Sequence, residues 1–402
     1  MVNRLVRPRD RMAIWLGTLA ISLAGVSHAA TSPAVTILNP VTENLSAPLR
    51  LAFDPQGNYF VTDPRAGGVA KFSAAGQRVA LLKTSAPPRA VAITSGGTLL
   101  VSHGTYVAML DQNGTEVRRI GTGRLGKANG IAVDAAGYVY VVDTLAGNVK
   151  VFTADGQFVQ TFGAPGTGAG QFSMPTAIAY EKSANQIAVV DTRNGRIQFF
   201  TASAGYSHVK TIGSFGTGPL QFWWPLGVTF EYDGTGKLNR MYVIDAHLSS
   251  VKAIDPAGNG TFLAAIGTNG FAGGQLLAPL DLAFDQVNRR IAVTNGSGYL
   301  TMYGIDGGTS PSPATLPSLA IDPVAMTVTT PSVTISGTVE PQSTVVVKTS
   351  TSAVAAPVVY TSSTTWKFTI SGLAAGSNVF TVTAATPTGT VSKQSAYVAY
   401  TP

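Results

Sequence analysis

The strongest constraint on the fold is an internal repeat. Its clearest copy is "NGIAVDAAGYVYVVDTLAGNVKVFTADGQFVQTFG" (129–163), in which β-branched runs alternate with Gly and Asp turns, a pattern that predicts four short strands. The frame occurs six times, and the residues that end the second strand of successive copies lie 40 to 54 positions apart. Self-similarity at this period indicates a radial repeat architecture. The strand-end residues are Asp63, His103, Asp143, Asp191, Asp245 and Asn295.

The repeat predicts an all-β chain whose residues 30–307 form a six-bladed β-propeller. A single four-stranded sheet cannot bury its own faces, whereas radial stacking of six sheets buries them. The sixth copy ends at "YLTMYGIDG" without a fourth strand. We expect "AVTILNP" (34–40) to supply that strand, because pairing the N-terminal segment with the last blade closes the ring and removes a free sheet edge.

One copy resembles a known repeat family. In "FSMPTAIAYEKSANQIAVVDTRNGRIQFF" (172–200), Asp191, Asn194, Arg196 and Ile197 fit the D-x-x-N-x-R-I signature of NHL repeats, which are β-propeller modules. The third copy keeps part of the signature, with Asn148 at the arginine position. The resemblance implies a six-bladed propeller, a fold that serves both binding proteins and enzymes such as lactonases.

The first 29 residues have the features of a secretory signal peptide. A basic segment precedes the apolar run "MAIWLGTLAISLAG" (12–25), and Ser27 and Ala29 occupy the −3 and −1 positions of a cleavage site. The run is too short to span a bilayer comfortably, and no cysteine follows it for lipid attachment. We therefore expect a secreted or periplasmic mature protein without a transmembrane segment.

Composition narrows the partners further. Removing residues 1–29 takes away four arginines and one aspartate, which lowers the formal net charge from +7 to +4. The basic balance therefore gives no argument for nucleic acid. The absence of cysteine excludes disulfides and cysteine-ligated metals.

The pattern changes after the propeller. Residues 308–318 are rich in Ser and Pro and predict a linker. In 319–402, the stretches "ISGTVEPQSTVVV" (335–347) and "WKFTISGLAAGSNVFTVTA" (366–384) resemble bacterial immunoglobulin-like modules. We expect an Ig-like β-sandwich with Trp366 in its core, acting as a spacer or attachment point.

Two adjacent tryptophans are the most conspicuous candidate for ligand binding. The element "QFWWP" (221–225) corresponds to "QFSMP" (171–175) and "QLLAP" (275–279), just before the innermost strand of a blade. In other propellers this loop lies on the binding face. Trp223 and Trp224 either cover the seam between blades or present an exposed aromatic platform.

The start of the innermost strand marks a second candidate. In the six copies this position is occupied mainly by small residues, with Arg50 in the first copy and Asp281 in the sixth. Since those blades are neighbours in a closed ring, we expect an Arg50–Asp281 ion pair. The alternative is a polar cup for an anionic ligand, formed by this pair with Arg89. The candidate ligand-binding residues are therefore Trp223, Trp224, Arg50, Arg89, Asp281 and Asn129.

No motif predicts catalysis, a metal or a cofactor. The chain after residue 29 has only three histidines, His103, His208 and His247, at positions unsuited to one zinc site. No G-x-S-x-G, P-loop or HExxH motif is present. We interpret the strand-end Asp ring as caps of the following turns.

We therefore expect an exported, monomeric, non-enzymatic binding or scaffold protein that presents a propeller face to a protein, peptide or glycan. The alternatives are a propeller hydrolase or lactonase with a metal at the axis, and a structural component of a cell-surface or extracellular assembly.

Overall fold

The computed structural model describes residues 30–402 except 43–44, 112, 204, 311–318, 326, 350 and 386–390. The signal-peptide prediction for 1–29 and most of the linker prediction for 308–318 lie outside the described residues. Within them the secondary structure is β except for one 3-10 helix, Thr192–Asn194. No helix in the described part of the chain is long and apolar enough to cross a membrane.

Six four-stranded antiparallel sheets follow one another along the chain as the blades of a propeller. In each of the first three blades the strands pair in sequence order from the innermost to the outermost. Their strands are β2 (Leu51–Phe53), β3 (Tyr59–Asp63), β4 (Gly68–Phe72) and β5 (Arg78–Lys83); β6 (Ala90–Ile93), β7 (Leu99–Ser102), β8 (Val107–Leu110) and β9 (Glu116–Ile120); and β10 (Ala128–Val133), β11 (Val139–Asp143), β12 (Asn148–Phe152) and β13 (Phe158–Phe162).

The last three blades repeat this arrangement, and short parallel strand pairs lie in two of the connecting loops. The strands are β14 (Ala164–Pro165), β15 (Gln171–Phe172), β16 (Pro175–Glu181), β17 (Gln186–Asp191), β18 (Arg196–Thr201) and β19 (His208–Ile212); β20 (Ser214–Phe215), β21 (Gln221–Phe222), β22 (Pro225–Tyr232), β23 (Leu238–Asp245), β24 (Ser250–Asp255) and β25 (Thr261–Ile266); and β26 (Pro279–Asp285), β27 (Arg290–Asn295) and β28 (Tyr299–Ile305).

The fourth strand of the sixth blade comes from the N-terminal end of the described chain. Strand β1 (Val35–Val41) pairs antiparallel with β28, with Val35 opposite Ile305 and Leu38 opposite Met302. This is the segment from which the sequence analysis expected ring closure, with the observed strand beginning one residue later. Without it the sixth sheet would expose an unpaired edge.

The hydrophobic core of the propeller is divided among the seams between blades. Each of six clusters of buried side chains combines residues from two adjacent blades, including one cluster between the sixth blade and the first. The second strands are buried along nearly their whole length, as in Tyr59–Asp63. Burial of apolar surface at every seam stabilises the closed ring.

The C-terminal part forms two further sheets. One has the strand order β29-β31-β35-β33, with β34 also on β35, and the other has the order β30-β37-β36-β32. Side chains of both meet in one cluster in which Trp366 is 1% exposed and stacks on Phe368. The core position expected for Trp366 is therefore confirmed, while the Ig-like assignment stays a prediction. The strands are β29 (Leu319–Ile321), β30 (Thr327–Val328), β31 (Ser332–Val339), β32 (Thr344–Thr349), β33 (Val354–Ala355), β34 (Val359–Tyr360), β35 (Thr365–Ser371), β36 (Gly376–Ala385) and β37 (Val391–Tyr400).

Candidate functional site

The loops that join the blades lie on the same side of the propeller as the turns between second and third strands. The carboxylate of Asp245, at the end of β23, shows why. It accepts backbone N–H bonds from Trp223 (2.7 Å) and Trp224 (3.2 Å) in the connecting loop, and from His247 and Leu248 in the turn (both 3.1 Å). We call this side the loop face.

Asp63 and Asp143 make the same double connection between connecting loop and turn. Asp63 accepts N–H bonds from Ser46 and Ala47 in the loop and from Ala66 in the turn. Asp143 binds the loop through Gly126 and Lys127 and the turn through Ala146, and it also pairs with Lys150 at 2.9 Å. Turn capping is thus confirmed at Asp63, Asp143 and Asp245. The hydrogen bonds from the connecting loop to the same carboxylates were missed by sequence reasoning, and they hold that loop against the turn.

The cap interpretation is wrong for Asp191, and the two strand-end residues that are not aspartates, His103 and Asn295, also accept no N–H of the following turn among the described hydrogen bonds. Asp191 accepts the loop N–H of Ser173 but binds side chains in place of the turn backbone, including an ion pair with Arg196 at 2.7 Å. Among the described residues, the Asn295 side chain accepts the loop N–H of Leu277, and its amide donates to the hydroxyl of Thr301. The His103 ring lies 3.3 Å from the carbonyl of Pro87, and burial lowers its pKa.

A set of three exposed rings lies on the loop face at the fifth blade. Trp223 is 38% exposed and its ring stacks on His247, with centroids 4.7 Å apart and planes 18° apart. Phe215 is 53% exposed and lies 4.9 Å from Trp223 in a tilted arrangement. We call Phe215, Trp223 and His247 the aromatic platform. Sequence reasoning found Trp223 but missed the other two members.

The backbone beneath the platform is fixed by its own hydrogen bonds. In the loop 213–225, the N–H of Gly216 donates to the carbonyl of Phe222 (3.2 Å), and that of Gly218 donates to the Gln221 side chain (3.0 Å). The neighbouring turn packs closely at Gly195, where a Cβ atom would come within 2.6 Å of the Cα of Phe215. Hydrogen bonds and close packing therefore hold the backbone of the loop that carries Phe215 and Trp223.

The preceding loop, 163–175, repeats this frame without the aromatic side chains. Its corresponding bonds are Gly166 N–H to the carbonyl of Phe172 (3.0 Å) and Gly168 N–H to the Gln171 side chain (2.9 Å). The positions of Phe215, Trp223 and His247 are occupied there by Pro165, Ser173 and Arg193. The loop fold therefore does not require the three rings.

Trp224 has a different environment from Trp223. Its side chain is partly buried, and among the described residues it makes no ring-to-ring contact. Its backbone is held on both sides, since its carbonyl accepts the N–H of Ala246 at 3.0 Å. Of the two alternatives given for this pair, the exposed position applies to Trp223, whereas Trp224 is partly buried.

At the axis the expected ion pair is present. The Nη1 of Arg50 lies 2.9 Å from Oδ1 of Asp281, and both side chains are about nine-tenths buried. The guanidinium also donates to the carbonyls of Leu226 (2.6 Å) and Thr176 (3.1 Å), which belong to the fifth and fourth blades. Gly227 leaves room for this arrangement, because a Cβ there would lie 2.5 Å from Asp281. Arg50 thus ties four blades together.

Burial raises the pKa of the Asp281 carboxyl, and the neighbouring Arg50 offsets part of that effect. The pair lies at the loop-face end of an axial channel of about 340 Å³. Beyond the pair, the channel walls are mainly apolar. They include Ala52, Ala92, Ala132, Ala179 and Ala283.

The other candidate residues are not drawn into a polar cup. In the described structure, no hydrogen bond or ion pair joins the side chains of Arg89 or Asn129 to the Arg50–Asp281 pair. Arg89 is exposed, and the amide of Asn129 donates to Thr144 at 3.4 Å. Within the described residues, no group of three or more His, Cys, Asp or Glu could hold a metal ion.

Comparison with known proteins agrees with this architecture. Residues 129–213, about a fifth of the chain, match a family model described as a 6-bladed beta-propeller. None of the curated proteins is similar to the chain in sequence. The closed ring and this match define a six-bladed β-propeller; the NHL label remains a resemblance.

Several solved structures share the fold at low sequence identity. An auxiliary nutrient binding protein from Bacteroides ovatus superposes with a TM-score of 0.52 at 12% identity, over 69% of this chain and 77% of that one. One from Bacteroides thetaiotaomicron gives 0.51 at 15%, over 65% and 70%. Virginiamycin B lyase from Staphylococcus aureus gives 0.45 at 13%, over 84% and 99%, a similarity too low to carry an argument about activity.

Proposed function

We propose that the protein is an exported, non-enzymatic binding protein that holds its ligand on the loop face, at the aromatic platform. One observation carries this proposal. Three exposed rings, two on the connecting loop and His247 on the neighbouring turn, lie together on the loop face, although the preceding loop forms the same backbone frame without them. Large apolar side chains left exposed add little to the stability of a monomer, whereas aromatic residues dominate the energetics of binding sites.

The ligand class that best suits the platform is a glycan. Phe215 and Trp223 are both exposed side chains of the connecting loop, and neither lines the axial channel. A peptide side chain gains most from a concave, desolvated pocket. The apolar C–H face of a sugar ring needs only a flat aromatic surface, and the imidazole nitrogen atoms of His247 offer polar partners for hydroxyl groups.

Structural similarity and the two ends of the chain support a binding role outside the cytoplasm. The two Bacteroides structures named as auxiliary nutrient binding proteins share the propeller fold. The secretory features of residues 1–29 support export, and an Ig-like C-terminal unit would act as a spacer or attachment point. A purely structural role in a surface assembly would not explain why three aromatic rings are exposed together on the loop face.

The residues at the propeller axis support a stabilising role there in preference to a hydrolytic active site. A lactonase-like metal site needs several oxygen ligands converging on one point. Asp281 is the one carboxylate among the residues that line the channel in the described structure, and Arg50 already neutralises it. We therefore place function on the loop face and a stabilising role at the axis.

The test is a glycan array probed with the wild-type mature protein and with a variant that carries the preceding loop's residues, Phe215→Pro, Trp223→Ser and His247→Arg. The proposal expects wild-type binding to a defined glycan class and its loss in the triple variant. Phe271→Ser is the matched control, because Phe271 is 79% exposed on the next blade's loop and has no ring partner among the described residues. Equal binding by wild type and triple variant, or peptide binding only, would refute the glycan assignment.

A further inference from the structure

Before the first strand, the described chain crosses from the fifth blade to the sixth. The hydroxyl of Ser32 donates to the carbonyl of Leu263 in β25 (2.5 Å), and Arg240 in β23 donates to the carbonyl of Thr31 (3.2 Å). The N–H of Ala34 then donates to Asp306, just after β28 (2.8 Å). The segment 30–34 therefore bridges the seam between the fifth and sixth blades, just before β1 joins the sixth sheet.

At the start of this segment, the backbone nitrogen of Ala30 lies 3.1 Å from Oδ2 of Asp255. Asp255 is partly buried at the end of β24, and its other oxygen accepts the N–H of Ala257 at 2.9 Å. No Lys or Arg of the described chain lies within ion-pair distance of this carboxylate, and Lys210, which donates to the carbonyl of the adjacent Pro256, interacts with it only at longer range. A partly buried carboxylate without a direct ion-pair partner is therefore held beside the nitrogen of the residue that follows the expected cleavage site.

We propose that cleavage after Ala29 converts this nitrogen into an α-ammonium that forms an ion pair with Asp255 and locks the closing segment onto the fifth blade. The step is hydrolysis of the Ala29–Ala30 peptide bond: water supplies the hydroxyl of the leader's new carboxylate, and the nitrogen leaves as an ammonium at neutral pH. This inference rests on the proposed export.

The chemistry of the site selects one cleavage position. The sequence favours cleavage after Ala29, with Ser27 at −3, over cleavage after Ala30, which would place His28 at −3, and the structure gives an independent criterion. Retention of Ala29 would leave a neutral amide with one N–H beside Asp255, and loss of Ala30 would remove the nitrogen altogether. Only a chain that begins at Ala30 places a positive charge there, where the neutral hydrogen bond becomes a charge-assisted one.

The experiment has two arms. Mass spectrometry of the exported protein should find Ala30 as its first residue; a chain that retains the leader or begins elsewhere would overturn the inference. The mature chain is then prepared with a free or an acetylated N-terminus, each with Asp255 and with Asp255→Asn, and the propeller transition is followed by calorimetry. Acetylation should lower the Tm by about 1–2 °C with Asp255 and leave it unchanged with Asn.

The control is Asp233→Asn, which alters an exposed turn of the same blade where Asp233 accepts the N–H groups of Thr235 and Lys237. It should lower the Tm equally in free and acetylated chains. An acetylation effect that persists in Asp255→Asn would reflect the bulk of the acetyl group and would refute the ion pair. Glycan binding is read out separately, so failure of one proposal is distinguishable from failure of the other.

Discussion

Replacement of Arg50 by Met removes the tie between four blades while keeping most of the side-chain volume. The variant leaves the Asp281 carboxylate, whose side chain is 11% exposed, without its cation, and it frees the carbonyls of Leu226 and Thr176. Breaking a buried pair from one side costs about 3–5 kcal/mol, because the remaining charge stays desolvated. At roughly 2 °C per kcal/mol for a unit of this size, the Tm of the propeller should fall by about 6–10 °C.

Calorimetry of four proteins tests this reasoning: wild type, Arg50→Met, Asp281→Asn and the double variant. The double variant should be less destabilised than the sum of the single changes by at least about 1 kcal/mol, because it leaves no unpaired charge. The cost of Arg50→Met should be largest near neutral pH. It should shrink as the pH falls through the raised pKa of Asp281, since protonation removes the unpaired charge.

Arg89→Met is the matched control, because Arg89 is exposed and its guanidinium forms no hydrogen bond or ion pair in the described structure. It should change the Tm by less than about 1 °C. The reasoning is refuted if Arg50→Met lowers the Tm by less than about 2 °C, or if the single changes add without coupling.

Three further predictions concern the loop face and the closure. Asp245→Asn replaces a carboxylate that accepts four backbone N–H bonds, so it should lower the free energy of unfolding by about 1–3 kcal/mol and increase amide hydrogen exchange in 213–225. Unchanged exchange in 213–225 would show that Asp245 does not hold this loop. Burial opposes ionisation of Glu231, but hydrogen bonds from two arginines and a tyrosine lower its pKa below 4.5. Its stabilising pairing should therefore be present above that pH and be lost as acid is added, an effect that Glu231→Gln should abolish in acid unfolding curves. Deletion of residues 30–41 exposes the edge of β28 and should cause aggregation by light scattering, whereas a monomeric deletion variant would contradict closure by β1.

The architecture was accessible from sequence because it follows from repetition. The sequence contains six copies of a four-strand frame, of which the last lacks its fourth strand, and an additional strand precedes the first copy. Only a closed ring, in which the N-terminal strand completes the last sheet, avoids a free sheet edge. The Arg50–Asp281 pair followed from the same ring, because closure makes the first and last blades neighbours. The hydrogen bonds from Arg50 to the carbonyls of Thr176 and Leu226 could not be predicted from the sequence, because they depend on the width of the channel beside Arg50.

The aromatic platform was only partly accessible. Trp223 was conspicuous, but Phe215 and His247 reach it through the folded loop and the following turn, and no local pattern joins them. An alignment of the connecting loops on their Gly and Gln residues would have placed Phe215 opposite Pro165 and so flagged it. Asp191 departed from the cap interpretation because Arg196 satisfies its carboxylate in place of the turn backbone.

The most direct test of the binding proposal is isothermal titration of one array-identified glycan into wild type and Trp223→Ser. Trp223→Ser keeps the backbone N–H bond to Asp245 but removes the ring contacts with Phe215 and His247 from a side chain that is 38% exposed, so the variant should lose about 1–3 kcal/mol of stability and stay folded. Its affinity should fall by about 2 kcal/mol, or roughly thirtyfold, as expected when a central aromatic contact is removed. An unchanged Kd in a folded Trp223→Ser variant would contradict the account.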